Sequence, residues 1–214
     1  AFTGSSATGA KIMSDSTING VKPVHLELGG KTPQLVLSDC DNIDNAVEKI
    51  SAGIFINSGQ VCTSGTRLIA HEKVLDEVLE KLINIGKSKK PGPTWEDSSS
   101  LPPIVSKKQA NRIESLVKNS VEMGASIIEG GSWYETNYGG YFYQPTYLEN
   151  VTKEMPAFKE EIFGPVINID KFSDDEEGLN MASHPTYGLA ACIHTSNLNK
   201  AINMSKKIES GMVW

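Results

Sequence analysis

Cysteine is scarce in this chain of 214 residues: there are three, an odd number with no short-spaced pair, which excludes a disulfide framework. A reducing cytoplasm is the expected compartment, since it keeps a reactive thiol available. No apolar run approaches the ~20 residues that cross a bilayer, so no membrane partner is expected. Positive charge is not in excess, and a formal net charge of −6 removes any electrostatic pull toward nucleic acid or an anionic membrane. Short basic runs at Lys87, Lys89 and Lys90, and at Lys107 and Lys108, lie near helix ends and acidic neighbours and read as solvated faces. The four histidines, His25, His71, His184 and His194, show no metal-ligand spacing to one another or to a cysteine, so no metal is expected. There is no internal repeat and no low-complexity tract. What remains is ordinary globular composition, 39% apolar and 21% charged, with length enough for one large domain or a domain and a small appendage.

Helical and strand-like segments alternate, which predicts an α/β fold with a mostly parallel sheet flanked by helices. Helices are predicted over residues 5–18, ended by the turn pair Asn19-Gly20, and over 41–56, where Ala46, Val47, Ile50, Ile54 and Phe55 form an apolar stripe. Further helices are predicted over 73–85, over 106–123 with Ser106 as cap, from Ser173 into the three acids that follow, and over 197–209. Strands are predicted over 24–28, 34–37, 66–70, 125–128, 142–148, 166–172, 189–194 and 212–214. The Pro-, Gly- and Ser-rich stretch 91–103 reads as a loop.

Cys62, in FINSGQVCTSGTR, has the surroundings of a nucleophile. Gly59 and Gly65 flank it, leaving room for a substrate, and Gln60, Thr63 and Ser64 are polar where a structural cysteine would have apolar neighbours. The thiolate is the reactive form, and at a pKa of about 8.5 a few per cent is present at neutral pH. Its candidate partner is Glu27 in LELGGKTP, set between leucines just before a glycine pair; such surroundings desolvate a carboxyl and raise its pKa toward that of a useful base. A structural glutamate at a strand end fits the same spacing. FTGSSATG, with Gly4, Ser5 and Gly9, is a glycine-bearing turn feeding a helix; it suits a pyrophosphate, and equally a plain N-cap by Ser5 or Ser6. EEIFGPV, with Glu161 and Phe163, fits a surface acid pair before a turn. Cys40, in an acidic loop, and Cys192, in an apolar strand, read as structural; Gly29 to Lys31 lacks the rest of a Walker sequence, and Trp95, Trp133 and Trp214 read as packing residues.

Taken in order, FTGSSATG, LELGGKTP, FINSGQVCTSGTR, EEIFGPV and YGLAA closely resemble the catalytic half of the NAD(P)-dependent aldehyde dehydrogenase superfamily, over essentially the whole chain. The resemblance implies that Cys62 attacks an aldehyde, forming a thiohemiacetal whose oxyanion meets the Cys62 backbone N–H. Hydride transfer to NAD or NADP then leaves a thioester, and Glu27, as general base, activates the water that hydrolyses it. It also implies that Gly4, Ser5 and Gly9 lie against the dinucleotide, that Leu28 approaches the nicotinamide through its backbone, that Glu161 hydrogen-bonds the nicotinamide ribose, and that Phe163 packs near it. Residues 1–20 are then the last turn and helix of a dinucleotide-binding domain and 21–214 a truncated catalytic domain. The expected partner is a small aldehyde, with homo-oligomerisation of the full-length protein. Family members are more than twice this long, so the chain is expected to be a fragment, inactive or nearly so alone. The alternatives are a non-catalytic folding or assembly unit, or residual thiol esterase activity.

Overall fold

The computed structural model describes residues 1–214. A short strand β1 (Phe2–Thr3) leads into α1 (Ser6–Asp15), and β2 (Leu26–Glu27) returns to pair with β1 in parallel, forming a two-stranded ribbon. The main body follows: β3 (Pro33–Val36), α2 (Ile43–Phe55), a single 3-10 turn (Ile56–Gly59), β4 (Arg67–His71), α3 (Glu72–Ser88), α4 (Lys107–Glu122), β5 (Ser126–Glu129) and β6 (Thr146–Glu149). It continues through α5 (Pro156–Lys159), β7 (Val166–Phe172), α6 (Asp175–Ala182), β8 (Ala190–His194), α7 (Leu198–Ser205) and β9 (Met212–Val213). Seven strands form one sheet in the order β5-β6-β7-β4-β3-β8-β9. Every neighbouring pair is parallel except β5 with β6, so the predicted mostly parallel α/β sheet is present.

Strand alternation sorts the core onto the two faces of this sheet. Val36, Leu68, Ala70, Ile167 and Ile169 pack under α2 and α3 with Ile50, Ile54, Val78 and Leu82. Their strand neighbours Leu35, Leu37 and Ile69 face the other way, onto Ala182 of α6 and Met204 of α7. α4 and α5 cover the remainder, Ile113 and Val117 meeting Leu148, Phe158 and Val166.

Local chemistry sets most helix starts. Asn42 caps α2 through the Asn45 N–H, Ser106 caps α4 through the Gln109 N–H, and Asn197 caps α7 through the Lys200 N–H. At α6 the cap lies one residue beyond the predicted Ser173: Asp174 Oδ1 accepts from Glu176 and Glu177, while Glu177 reaches back to the Ser173 N–H. Several predicted elements are shorter than their apolar pattern: the 5–18 helix ends at Asp15, and the 142–148 strand is regular only from Thr146. The 24–28 strand is regular only at Leu26–Glu27, where β1 supplies a partner, and α7 stops at Ser205, after which Ile208 packs into the core from a turn.

Arg67 joins three parts of the body from inside. It is 1% exposed, and its guanidinium donates to the carbonyls of Lys31 (3.0 Å), Met181 (3.0 Å) and Ala182. Those acceptors precede β3 and end α6, so the side chain fixes that corner of the sheet. Arg67→Met leaves the buried Lys31 and Ala182 carbonyls and the half-buried Met181 carbonyl without that donor, and at ~1–3 kcal/mol for each buried one it is expected to lower unfolding stability by at least about 2 kcal/mol. Denaturant unfolding measures this; an unchanged midpoint would show that water replaces the donors.

Candidate active site

The functional segments gather where chain enters β3, β4 and β7. Ser5 caps α1, its Oγ accepting the Thr8 N–H at 3.3 Å, and the Gly4 N–H donates to the Glu27 carbonyl at 3.0 Å. The N–H groups of Ser6 and Ala7 have no acceptor in the chain, so the end of α1 presents open donors. Gly9 lies on the inner side of α1 against Leu28, where a Cβ would stand 2.6 Å from Leu28 Cδ2. A larger residue at position 9 would make the Leu28 side chain shift, so the glycine lets α1 sit directly on the LELGG segment.

Leu28 leads into the Gly29-Gly30 pair, which meets both remaining segments. The Gly30 N–H donates to Glu161 Oε1 at 3.2 Å, and a Cβ on Gly29 would fall 2.3 Å from Glu161 Oε2. A Cβ on Gly30 would fall 2.2 Å from the carbonyl oxygen of Cys62. The glycine pair thus lets the carboxylate of one segment and the backbone of the cysteine turn close on the same two residues.

The cysteine turn is held from below. Asn57, Ser58 and Gly59 all have positive φ, and Gly59 packs against Gly164, where a Cβ would stand 2.2 Å from its carbonyl oxygen. Asn57 Nδ2 donates to the Gln60 carbonyl at 3.1 Å, and Gln60 Nε2 returns to the Asn57 carbonyl at 3.0 Å. Gln60 Oε1 accepts the Val105 N–H at 2.8 Å, and Ser58 Oγ donates to the Pro102 carbonyl. The end of the loop predicted over 91–103 is therefore the platform under the Cys62 turn, through the Pro102 and Pro103 carbonyls. Cys62 itself is half-buried, and its N–H donates to nothing in the chain, leaving it free to meet an oxyanion.

Three expectations are corrected here. Gly59 and Gly65 do not leave room for a substrate: protein fills both spaces, Gly164 against the first and the Gln34 amide against the second. Gln60 and Ser64 are polar but spend their polar atoms on backbone groups and not on the thiol; both are buried, and Ser64 Oγ donates to the Gly53 carbonyl at 3.1 Å. Glu27 is not desolvated: its side chain is exposed, because the face of the ribbon that carries it with Thr3 is uncovered. Cys40 and Cys192 are free thiols. Burial and the neighbouring Asp39 and Asp41 raise the first, and burial pushes the second up to about 11, so both are weaker nucleophiles than an ordinary cysteine.

Sequence reasoning missed what holds Glu161 and Phe163. Gln109 and Arg112, one turn apart on α4, grip the segment: Gln109 Nε2 donates to the Ile162 (2.8 Å) and Phe163 (3.0 Å) carbonyls. Arg112 donates to the Glu161 carbonyl (2.7 Å) and to Glu160 Oε2 (2.7 Å). Phe163 is thereby kept at φ 57°, a conformation costly for a residue with a Cβ. The Tyr187 hydroxyl of YGLAA accepts the Glu161 N–H at 3.3 Å. Burial raises the Glu161 carboxyl; the Gly30 N–H and the charges of Lys31 and Arg112 oppose that. The i,i+3 spacing of Gln109 and Arg112 was visible, but nothing local says which chain they meet.

A half-exposed cysteine after a turn with positive φ, a glycine pair against its carbonyl, and a helix packed on the residue before that pair define an α/β protein with its candidate segments gathered at one end of the sheet. The chain matches the model of the aldehyde dehydrogenase family over residues 1–214, and it belongs to that family. It is 41% identical over 214 residues to a putative aldehyde dehydrogenase-like protein of Schizosaccharomyces pombe and 40% identical to the chloroplastic betaine aldehyde dehydrogenase of Beta vulgaris. Each match covers all of this chain and 42% of the relative, so the chain spans less than half the length of the curated relatives it matches. An aldehyde dehydrogenase from Bacillus cereus, solved as its NAD+ complex, superposes with a TM-score of 0.94 at 37% identity, over the whole of this chain and 43% of that one. No helix is long and apolar enough to cross a membrane.

Proposed function

We propose that this chain is the catalytic portion of an aldehyde dehydrogenase that oxidises a small aldehyde to the carboxylic acid with NAD or NADP. Residues 21–214 form the catalytic domain, and residues 1–20 are the edge of a dinucleotide-binding domain. The observation that carries this reading is the convergence on Gly29-Gly30 of the Cys62 turn and the Glu161 carboxylate, with α1 packed on the preceding Leu28.

The residues present fit one side of a dinucleotide. The free N–H groups at the start of α1, with Gly4, Ser5 and Gly9, suit its pyrophosphate, and the Glu161 carboxylate suits a ribose diol. Leu28 and Phe163 border the nicotinamide end. When bound, the dinucleotide supplies the acceptor for the hydride that leaves the substrate carbon.

Cys62 thiolate adds to the aldehyde carbon, and the oxyanion of the thiohemiacetal meets the free Cys62 N–H. Once hydride has left, the acyl group remains on Cys62 as a thioester. Glu27 takes a proton from water, the hydroxide adds to the thioester, and the C–S bond breaks to release the acid and the thiolate. The protein is read as a homo-oligomer when complete, and a reducing compartment such as the cytoplasm suits its free thiols.

The test is chemical. When the full-length protein is acid-quenched during turnover of an aldehyde with NAD+ or NADP+, peptide mass spectrometry is expected to find the acyl group on Cys62 and none on Cys40 or Cys192. An adduct elsewhere, or none, rejects the mechanism. The isolated chain is expected to give no heat on calorimetric titration with NAD+; micromolar binding would show that the dinucleotide site is complete without further sequence.

A further inference from the structure

His184, just after α6, uses both of its ring nitrogens. Nδ1 lies 3.1 Å from the Thr186 nitrogen and 3.2 Å from the Tyr187 nitrogen and accepts both N–H groups. Nε2 therefore carries the proton, and it donates to the Phe158 carbonyl at 3.0 Å. The ring stacks on the Phe158 ring, centroids 4.8 Å apart, and lies 5.0 Å from the Tyr187 ring. One half-buried side chain thus joins α5 to a turn 26 residues further along. Both joined segments lead into the candidate site. Phe158 precedes Glu161 by three residues, and the Tyr187 hydroxyl accepts the Glu161 N–H at 3.3 Å. Leu189, next along the same turn, backs the glycine pair: a Cβ on Gly30 would meet its Cβ at 3.4 Å.

We infer that His184 is a positioning residue for the cofactor site: as the neutral, Nε2-protonated imidazole it clips the Tyr187 turn to the end of α5, and so fixes the backbone from which the Glu161 carboxylate meets a ribose diol. The inference rests on the role proposed above for Glu161. The geometry admits only the neutral ring, because a proton on Nδ1 would face two N–H groups. The surrounding charges agree. Arg67, whose guanidinium lies 5.8 Å from the centre of the Phe158 ring, and Lys31 both oppose a positive imidazole. The charged groups after Phe158 are committed elsewhere, Lys159 to Glu154, Glu160 to Arg112 and Glu161 to the Gly30 N–H. Tyr187 is the titratable side chain in contact with the ring. Burial, followed by these two cations, keeps the His184 pKa below the ordinary value. The clip is therefore complete above about pH 6.5 and is lost as pH falls through the lowered value. A histidine that only packs against Phe158 would affect stability and leave the cofactor site alone.

The experiment uses the full-length protein with His184→Ala, His184→Asn, Tyr187→Phe, the His184→Ala/Tyr187→Phe double variant and Glu161→Gln. NAD+ dissociation constants are measured by calorimetry at about pH 8 and about pH 5.5, beside the melting temperature of each ligand-free protein. At the higher pH His184→Ala is expected to weaken NAD+ binding by about 10-fold, and by much less in the Tyr187→Phe background. His184→Asn keeps an acceptor for the Thr186 and Tyr187 N–H groups that cannot be protonated, but loses the bond to Phe158. It is expected to lie between His184→Ala and the parent at the higher pH, and to lose less affinity than the parent on going to the lower. If His184→Ala disturbs folding, the pH dependence of His184→Asn decides alone. Two results overturn the positioning role while Glu161→Gln still weakens binding: a lower melting temperature in His184→Ala with NAD+ affinity unchanged, or an asparagine variant that loses affinity in acid as steeply as the parent. NAD+ binding unaffected by Glu161→Gln overturns the assignment of Glu161, and this inference with it.

Discussion

Cys62→Ser in the full-length protein is expected to lower aldehyde oxidation by at least about 10⁴-fold while leaving NAD+ affinity and melting temperature near those of the parent. The size of the loss follows from the site. A serine hydroxyl at neutral pH is almost wholly protonated, and no side chain hydrogen-bonds position 62 to take its proton. The selectivity follows from the packing. The turn is held by Asn57, Ser58, Gln60 and Ser64, and by Gly59 against Gly164, none of which involves the thiol. Neither remaining thiol can substitute: Cys192 is pushed up to about 11 by its burial on β8, and Cys40 is raised in its acidic loop. The measurement is steady-state NAD(P)H formation with calorimetric NAD+ binding in parallel. Activity within ten-fold of the parent would remove Cys62 from the reaction.

The strands of the main sheet and most helices were legible because burial on one or both faces leaves a period that local sequence carries. Leu35, Val36 and Leu37 sort to opposite faces, and α2 shows its stripe. Helix caps were legible to within a residue, as Ser106 and the step from Ser173 to Asp174 show. What sequence could not carry were contacts between distant segments. The glycines of FINSGQVCTSGTR were read as open space, but a missing Cβ also admits protein, and at Gly59 and Gly65 the neighbour comes from residues 164 and 34. Glu27 between leucines read as buried, but burial on a two-stranded ribbon depends on what covers it. Gln109 and Arg112 lie within the predicted 106–123 helix, and only the placement of α4 against residues 160–163 gives them a role. The family was legible from five strings in order; the way those strings touch came only from the fold.

Glu27→Gln should separate the two halves of the reaction. The substitution is nearly isosteric at an exposed side chain that makes no hydrogen bond within the chain, and the backbone of residue 27 stays fixed by pairing with Thr3 and by the Gly4 N–H. The fold therefore has no reason to change, while an amide cannot take a proton from water at neutral pH. If Glu27 is the hydrolytic base, addition of the aldehyde to Cys62 and loss of hydride proceed once, and the thioester then waits. Rapid mixing is expected to show a burst of about one NAD(P)H per active site, followed by turnover slowed by about 10²–10⁴-fold. Mass spectrometry of the stalled enzyme should find the acyl group on Cys62. A variant that turns over normally excludes Glu27 as the base, whereas one that loses the burst together with turnover places the residue earlier, in generating the thiolate. The burst also tests the exposure of Glu27: a carboxylate open to water in this chain can assist hydrolysis only where water reaches the thioester, so a hydrolytic role requires that face of the β1–β2 ribbon to border the acyl group in the complete protein.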